Sequence, residues 1–262
     1  MKKLYFDYHM HIAYTEEARE CFFTIKCIPP HTKRQCPEAI DIEVCPDAHW
    51  AKGEDSFGNP QVYGRVGNSH QNFSFHVRGI VSTGLKAYEA EMPETGQAIY
   101  RYPYGLTKPG AGLTAYYKTI RPPEGMPAGD WAVSLMHRLH QDFSYEKGIT
   151  TVATTAEEAW NGGRGVCQDY AHIMVALCRL AGIPARYVTG MLIGEGFSHA
   201  WVEICSGGKW YGLDPTNDMP VADSHIKLGN GRDASDCPIN RGLIKGGGAQ
   251  EQRICLKVEE AG

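Results

Sequence analysis

The chain has 262 residues, of which 42% are hydrophobic and 21% are charged, and its formal net charge is −4 at pH 7. A chain of this length can bury one large core or two modest ones. A slight net negative charge gives no indication of a basic surface, so we expect neither a nucleic acid nor an anionic membrane as a partner. Because the sequence has no run of about eighteen apolar residues, a membrane-spanning helix is not expected either.

The N-terminus and the cysteine content bear on the compartment. The opening stretch MKKLYFDYHMHIAYT alternates apolar and polar residues, which is typical of a half-buried strand and not of a signal peptide. Nine cysteines are present, and none of them forms a C-x-x-C pair. We therefore expect reduced thiols in the cytoplasm, without a disulfide framework or a structural zinc site.

Residues 1–90 predict a β-rich N-terminal domain. Turn-forming prolines and glycines separate short stretches that are rich in branched and aromatic residues. The candidate strands are 4–14, 20–28, 39–45, 61–66 and 72–82. This succession of short strands favours a sandwich or a curled sheet. His9 and His11 share one face of the first strand, but no third ligand is apparent, so we interpret them as solvent-facing and predict no metal site.

Two further segments follow the N-terminal domain. Residues 91–128 are rich in proline and tyrosine and show little periodicity, so they predict an irregular connector. Residues 129–262 predict the catalytic domain, which opens with a helix capped by Asp130. Thr155 and Glu158 form a capping-box pattern for a second, short helix.

Cys167 lies where a glycine-rich stretch gives way to a buried helix. Three glycines within 162–165 interrupt any preceding helix, and residues 171–180 are almost continuously apolar. The unpaired N–H groups and the dipole at a helix N-terminus favour a thiolate and can stabilise an oxyanion. Taken alone, this segment is equally compatible with a cysteine that only fills space in the core.

Two predicted strands after this helix supply a base and an orienting acid. The stretches FSHAWVEIC and KWYGLDPT are rich in aromatic and branched residues, and Ser-Gly-Gly separates them. A tight turn at the Ser-Gly step puts His199 directly opposite Asp214, with Cβ atoms about 4.5–5.5 Å apart. The same register puts Trp201 over Gly212. The inference depends on the register, since a one-residue slip would send His199 and Asp214 to opposite faces.

These segments resemble the transglutaminase-like superfamily. The matching motifs are GVCQDYA at 165–171, SHAWVEI at 198–204 and LDPT at 213–216, in the order and spacing of that family. The resemblance is strong over roughly 130–216. The segment at 225–242 and the β-rich N-terminal region are similar to bacterial members that are transglutaminase-like cysteine peptidases.

The resemblance implies an α+β fold with a papain-like core, in which a central helix packs on an antiparallel sheet, preceded by the β-rich domain. It implies a catalytic triad in which Cys167 is the nucleophile and His199 is the general base and acid. Asp214 would fix the tautomer of the histidine.

The residues and the resemblance together predict an enzyme that forms a thioester at Cys167 with an acyl group taken from an amide. We expect a cysteine peptidase or amidase that acts on a peptide or protein, since the sequence has no calcium-loop pattern. Acyl transfer to an amine, the reaction of a transglutaminase, is the first alternative. The second is an inactive fold used as a binding module, which the intact set of three residues disfavours. No cofactor is expected.

Other polar residues near the motifs have less specific roles. Asp169 is part of the first family motif, and we interpret it as a cap of its own helix rather than a reacting group. His172 lies more than one helical turn beyond the cysteine, so it is a poor competitor for the role of base. Arg232, Asp233 and Asp236 either line the cleft or anchor a loop, and the sequence leaves both alternatives open.

Overall fold

The computed structural model describes residues 1–261 and has a mixed α and β fold, which confirms the predicted fold class. The helices, in chain order, are α1 (Glu94–Gln97), α2 (Ala111–Thr119), α3 (Ala128–Asp142), α4 (Ala156–Gly162) and α5 (Cys167–Leu180). The strands are β1 (Lys2–Ile25), β2 (Cys36–Cys45), β3 (His49–Glu54), β4 (Pro60–Val66), β5 (His70–Thr83), β6 (Ser144–Tyr145), β7 (Arg164–Gly165), β8 (Ala185–Leu192), β9 (Gly194–Glu195), β10 (His199–Ser206), β11 (Lys209–Asp214), β12 (Met219–Pro220), β13 (His225–Gly231), β14 (Asn240–Gly246) and β15 (Gln250–Glu260).

One long strand organises the first sheet. β1 runs for 24 residues and pairs with β5 and β15 along its first half and with β4 and β14 along its second half. Its register shifts between Ala13 and Ala18 and again before Phe22. Such bulges bend a strand and increase its twist, so the sheet curls where the sequence predicted two separate strands. His9 and His11 lie on the side of β1 that faces away from the core, as predicted.

The C-terminal strands complete this first sheet. β15 pairs along β1, beginning with Leu4 opposite Glu260, and β14 pairs with the second half of β1. Strands β14 and β15 therefore lie in the N-terminal sheet, although the sequence predicts that residues 129–262 form the catalytic domain. Pairing between the two ends of a chain depends on tertiary contacts, which a local pattern does not encode.

The second sheet carries the predicted motifs. Its strand order is β12-β11-β10-β8-β13, and all neighbours are antiparallel. The apolar helix α5 packs on β8 and β10 and shares a core with α3 and α4. On the opposite face, Val188 and Trp201 pack with Val221, while Met191, Ile226 and Leu228 join the core of the first sheet. Both faces of the second sheet are thus covered, which holds its strands firmly in place.

A helix forms inside the connector that the sequence predicted as irregular. α2 follows Gly110, and the Glu157 carboxylate of α4 accepts hydrogen bonds from the N–H groups of Gly110, Gly112 and Leu113 at 2.6–3.0 Å. The first N–H groups of a helix have no acceptor within it, so a carboxylate from elsewhere caps α2. The cap is distant in sequence, which explains why periodicity alone missed the helix.

Two other helices form where the sequence predicted them, but the predicted cap of α3 is wrong. α3 begins at Ala128 after Pro127, so Asp130 lies in the first turn instead of at the cap, where its charge still favours the helix dipole. The capping box of α4 is formed, with the Thr155 hydroxyl accepting from the N–H of Glu158. Among residues 1–261, no helix combines the length and the apolar character that crossing a membrane requires.

Candidate active site

Cys167 is the first residue of α5, and its side chain is only partly buried. Val166 is the N-cap, and the parallel pair β6–β7 leads into it with Tyr145 opposite Gly165. The N–H groups of Cys167 and Gln168 belong to the first turn, whose donors have no acceptor within the helix. They can therefore hold an oxygen atom that carries developing negative charge.

Asp169 caps the helix that presents the thiol. Its Oδ2 atom accepts from the N–H of Val166 and from the hydroxyl of Thr150, each at 2.7 Å. A side chain at Gly165 would collide with this carboxylate, so the close approach requires glycine. Burial raises the pKa of Asp169 in spite of the two hydrogen bonds. These contacts agree with the predicted capping role.

The β10–β11 hairpin carries His199 and Asp214 in a register that differs from the predicted one. Ser206 pairs with Lys209, so the turn residues are 207 and 208, two glycines with positive φ. A two-residue turn of this kind matches the twist of the flanking strands, and glycine adopts positive φ without strain. The pairing is displaced by two residues along the hairpin, and the predicted opposition of the two side chains is wrong.

The displacement nevertheless leaves His199 and Asp214 on one face, because side chains alternate with a period of two. They are diagonal neighbours, and His199 Nε2 lies 2.7 Å from Asp214 Oδ2. Since Nε2 is engaged, Nδ1 is the nitrogen left for the thiol. Cys167 contributes to the raised pKa of His199, which puts the thiol beside the imidazole. The structure thus brings the three predicted residues together.

Asp214 is fully buried and accepts five hydrogen bonds. Its Oδ1 atom accepts from the N–H groups of Thr216 and Asn217 at 3.1 and 3.2 Å. Its Oδ2 atom accepts from His199, from Asn217 Nδ2 at 2.7 Å and from His225 Nε2 at 3.2 Å. Burial raises the pKa of Asp214, but the donors on the two histidines and the asparagine outweigh it and hold the pKa well below its usual range.

The surroundings of His199 favour its charged form. Burial lowers the pKa of His199, but the hydrogen bonds and charges of Asp214 and Cys167 outweigh burial and raise the pKa to about 10. The imidazole is therefore protonated at neutral pH. A positive charge beside the sulfur stabilises a thiolate, which is the nucleophilic form of cysteine.

His225 completes a cluster of a type that can bind a metal ion. One ring nitrogen of His199, one of His225 and a carboxylate oxygen of Asp214 lie within 4.8 Å of one another. However, the Nδ1 atom of His225 accepts from the N–H of Ala222 at 3.3 Å, so the ring proton lies on Nε2. A protonated nitrogen has no lone pair to give a metal. The cluster therefore suits hydrogen bonding and fits a metal poorly.

A buried ion cluster holds β10 between its neighbours. Glu203 is fully buried and bonds Arg186 of β8 at 2.5 Å and Lys227 of β13 at 2.8 Å. Removing one partner of such a buried pair typically costs about 3–5 kcal/mol, because the remaining charge is left uncompensated. The register of the three strands is therefore strongly held, and with it the positions of His199 and His225.

The remaining polar candidates anchor loops. Asp233 is buried and accepts from a backbone N–H of the connector at 2.9 Å, while Arg232 pairs with Asp236 at 2.9 Å. His172 is fully buried and accepts at Nε2 from the N–H of Ala234 at 3.1 Å. Of the two alternatives that the sequence left open for the charged residues after β13, their contacts favour anchoring.

Sequence reasoning missed two residues of the site, Asn217 and His225. Asn217 could have been found, because Asp214 begins a turn in which its side chain accepts from the N–H groups two and three residues later. His225 lies at the start of β13, and only the pairing of β13 with β8 brings it to Asp214. No local pattern encodes that pairing.

Two family models match this chain. Residues 115–215 match the transglutaminase-like superfamily, and residues 5–82 match the bacterial transglutaminase-like N-terminal region. The first match contains Cys167, His199 and Asp214, and the second covers much of the curled sheet. Together the two matches take in most of the chain.

Relatives are found among bacterial proteins. An uncharacterized protein of Mycobacterium tuberculosis is 29% identical over 252 residues, spanning 82% of this chain and 79% of that protein. A protein-glutamine gamma-glutamyltransferase of Pseudomonas aeruginosa is 30% identical over 125 residues, which is 42% of this chain and 18% of that protein. The crystal structure of a candidate cysteine protease from Cytophaga hutchinsonii has a TM-score of 0.81 at 20% identity and covers 99% of this chain and 90% of its own. This last likeness shows a shared fold.

Proposed function

Because this chain belongs to the transglutaminase-like superfamily, we propose that it is a thiol-dependent acyl-enzyme hydrolase that cleaves amide bonds of a peptide or protein. The observation that carries the proposal is the 2.7 Å hydrogen bond between His199 and Asp214 beside the thiol of Cys167. Nucleophile, base and orienting acid within mutual reach are the requirement for covalent catalysis by a thiol.

In the proposed reaction the Cys167 sulfur attacks the carbonyl carbon of the amide as a thiolate, whose proton already lies on the His199 imidazolium. The tetrahedral oxyanion is held by the N–H groups of the first turn of α5. The imidazolium then protonates the nitrogen as the C–N bond breaks, so an amine leaves and a thioester remains. A water molecule, deprotonated by the now neutral His199, attacks the thioester and releases a carboxylic acid and the thiolate, which restores the starting ion pair. Asp214 stays ionised throughout and keeps the imidazole oriented.

A cleft near the start of α5, whose lining includes none of Cys167, His199 and Asp214, leaves room for a polymeric substrate. Its volume is about 590 Å³, and residues 149–154 form much of its lining. It lies against the first turn of α5, since the Gln168 side chain donates to the carbonyl of Thr151 at 3.4 Å. On the side of the histidine, Phe197 stands two residues before His199 with 69% of its surface exposed. Space on one side and an exposed aromatic ring on the other suit an extended peptide.

Acyl transfer to an amine is the second candidate function. It is favoured by the similarity of 42% of this chain to a protein-glutamine gamma-glutamyltransferase. The two reactions share the thioester and differ only in the acceptor that attacks it, so the same residues serve both. A catalytically idle binding module is the third candidate, but an idle module has no chemical need for a fully satisfied carboxylate behind a charged imidazole.

The test is to incubate the protein with a peptide library, with and without a primary amine, and to identify the products by mass spectrometry. Hydrolysis predicts shortened or deamidated peptides in both samples, whereas transfer predicts adducts only in the presence of the amine. Cys167→Ala must abolish the products, and Cys255→Ala, which removes an exposed cysteine of the first sheet, must retain them. Absence of any product from folded wild-type protein would contradict both enzymatic proposals.

The compartment is a separate proposal. The proposed cytoplasmic location rests on the sequence, whose nine cysteines without a C-x-x-C pair favour reduced thiols over a disulfide framework. Fractionation of cells that express the protein, followed by immunodetection in the cytoplasmic and extracytoplasmic fractions, tests the proposed cytoplasmic location.

A further inference from the structure

His225 contacts the carboxylate of Asp214 but has no part in the proposed reaction steps. Its Nε2 atom lies 3.2 Å from Oδ2, the oxygen that also accepts from His199 at 2.7 Å. The ring is almost fully buried, and it lies edge-on to Trp201 with centroids 5.3 Å apart. Two histidines on different strands thus donate to one carboxylate oxygen.

The hydrogen bond from His225 is fixed in its direction. Nδ1 accepts from the N–H of Ala222 at 3.3 Å, and the hydroxyl of Ser224 lies 3.1 Å from the same nitrogen. The proton is therefore kept on Nε2, which must donate to Asp214. Because His225 is held on a buried strand with its proton on Nε2, its hydrogen bond to Asp214 is permanent.

This donor is not needed to hold the carboxylate in place. The loop that follows Asp214 clamps both oxygens by itself, through the N–H groups of Thr216 and Asn217 and through Asn217 Nδ2. Loss of His225 would leave these three bonds intact. The effect of His225 is therefore chiefly electrostatic, because each donor on Oδ2 neutralises part of the negative charge that His199 feels.

We propose that His225 is a positioning residue that shares Oδ2 of Asp214 with His199 and thereby limits how strongly the aspartate holds the imidazolium. The inference rests on the proposed function only in that His199 is taken as the base and acid. If Asp214 stabilises the imidazolium of His199 too strongly, the imidazolium becomes a weak acid and transfers its proton slowly to the leaving amine. The hydrogen bond from His225 to Asp214 weakens this stabilisation and so keeps His199 acidic enough to transfer its proton.

Asn217 supplies a further donor, since its Nδ2 atom donates to the same Oδ2 at 2.7 Å and lies 3.3 Å from His199 Nε2, and it stays in place when His225 is replaced. The remaining groups that face His199 do not oppose the charge of Asp214. From α5 the thiol of Cys167 raises the pKa of His199, as Asp214 of β11 does. Asp218, on the loop after β11, is engaged by Nδ1 of His137 at 2.5 Å. His225 is thus the donor from β13 that opposes the two groups on the imidazole.

The test is an NMR titration of the His199 ring in the intact chain, which needs no substrate. His225→Leu removes the donor, and His225→Gln keeps an N–H group at a similar reach. We expect the acid dissociation constant of the His199 imidazolium to fall about threefold or more in His225→Leu, because a less neutralised carboxylate binds the proton more tightly. It should stay near the wild-type value in His225→Gln. An unchanged constant in folded His225→Leu, or equal shifts in both variants, would overturn the proposal.

A measurement on the wild type covers the case in which the buried substitutions prevent folding. The Nε2 proton of His225 should be visible by NMR as a protected resonance, and its chemical shift should follow the titration of His199 through their common acceptor. A His225 signal that does not respond to that titration would overturn the proposal. Since neither experiment measures catalysis, a failed activity assay would count against the proposed function and not against this inference.

Discussion

Trp201 fills the space in front of Gly190, the residue that pairs with His199. A Cβ atom at Gly190 would collide with the tryptophan ring and with the carbonyl oxygen of Ile226. The ring is fully buried and lies edge-on to His225, with centroids 5.3 Å apart. Because residue 190 is a glycine, the Trp201 ring can lie close to the strands that carry His199 and His225. This packing helps to fix the positions of both histidines.

Gly190→Ala should destabilise the protein by about 1–3 kcal/mol, because overpacking forces a ring or a backbone carbonyl to shift. The free energy of unfolding in urea is the measurement. Gly162→Ala is the matched control, since a Cβ there meets nothing within 4 Å, and it should cause no loss. A Gly190→Ala variant as stable as the wild type would show that the ring moves aside without cost.

Iodoacetamide should modify Cys167 faster than any other cysteine at neutral pH. Cys45 and Cys255 are exposed, whereas Cys167 is only partly so, so accessibility alone would favour the first two. The imidazolium of His199 and the helix N-terminus stabilise the Cys167 thiolate, which is the form that reacts. Peptide mapping by mass spectrometry after short exposures measures the three rates. Faster labelling of Cys45 or Cys255 would contradict the role of Cys167 as nucleophile.

Asp214→Asn should lower activity by about 10²–10⁴-fold, since the amide permits the wrong imidazole tautomer and removes the charge that favours imidazolium. Some loss of stability should accompany it, because an amide has one acceptor oxygen where the carboxylate has two with five donors. Activity must therefore be measured per folded molecule. Combining Asp214→Asn with His199→Gln should be scarcely worse than His199→Gln alone. Independent multiplication of the two losses would show that the residues do not act as one unit.

The hairpin shows how far the sequence determines the site. The alternation of apolar and polar residues predicted both strands, and its period of two guaranteed that His199 and Asp214 share a face in any register shifted by an even number. The register itself depended on choosing between Ser-Gly and Gly-Gly as the turn. The two glycines were visible in the sequence, and both adopt the positive φ that a two-residue turn of type I′ requires. The predicted contact between Trp201 and Gly212 is therefore wrong: Gly212 lies opposite Glu203 and against Val221, and the glycine against the Trp201 ring is Gly190 of β8.

Other features lay beyond local patterns for a physical reason. The Glu157 cap of α2, the approach of His225 to Asp214 and the pairing of β15 with β1 each join segments that are distant in sequence. Propensity and periodicity describe what a segment prefers by itself, whereas these contacts form only after the segments have packed. Cys167 was predictable as the nucleophile because the start of a helix is encoded by nearby residues. The charged and hydrogen-bonding groups around the site come from distant segments and were not predictable in the same way.

Chelation should leave the protein unaffected. The proton on His225 Nε2 points at Asp214, so binding a metal there would cost the hydrogen bond from Ala222 and rearrange a buried ring. Activity and melting temperature should be the same before and after dialysis against EDTA. A fall in melting temperature that zinc reverses would reveal a metal site in this cluster.

Two histidines should give the stability opposite dependences on pH. The pKa of His199 is raised from 6.5 to about 10, so its contribution to stability is complete below pH 6.5 and is lost as the pH rises toward 10. Burial lowers the pKa of His172 from 6.5 to about 4, so its contribution is complete above pH 6.5 and is lost as the pH falls toward 4. Free energies of unfolding measured across this range for His199→Gln and His172→Gln, each subtracted from the wild type, isolate the two contributions. The difference for His199 should shrink on the alkaline side and that for His172 on the acid side, and slopes of the opposite sign would refute the assigned protonation states.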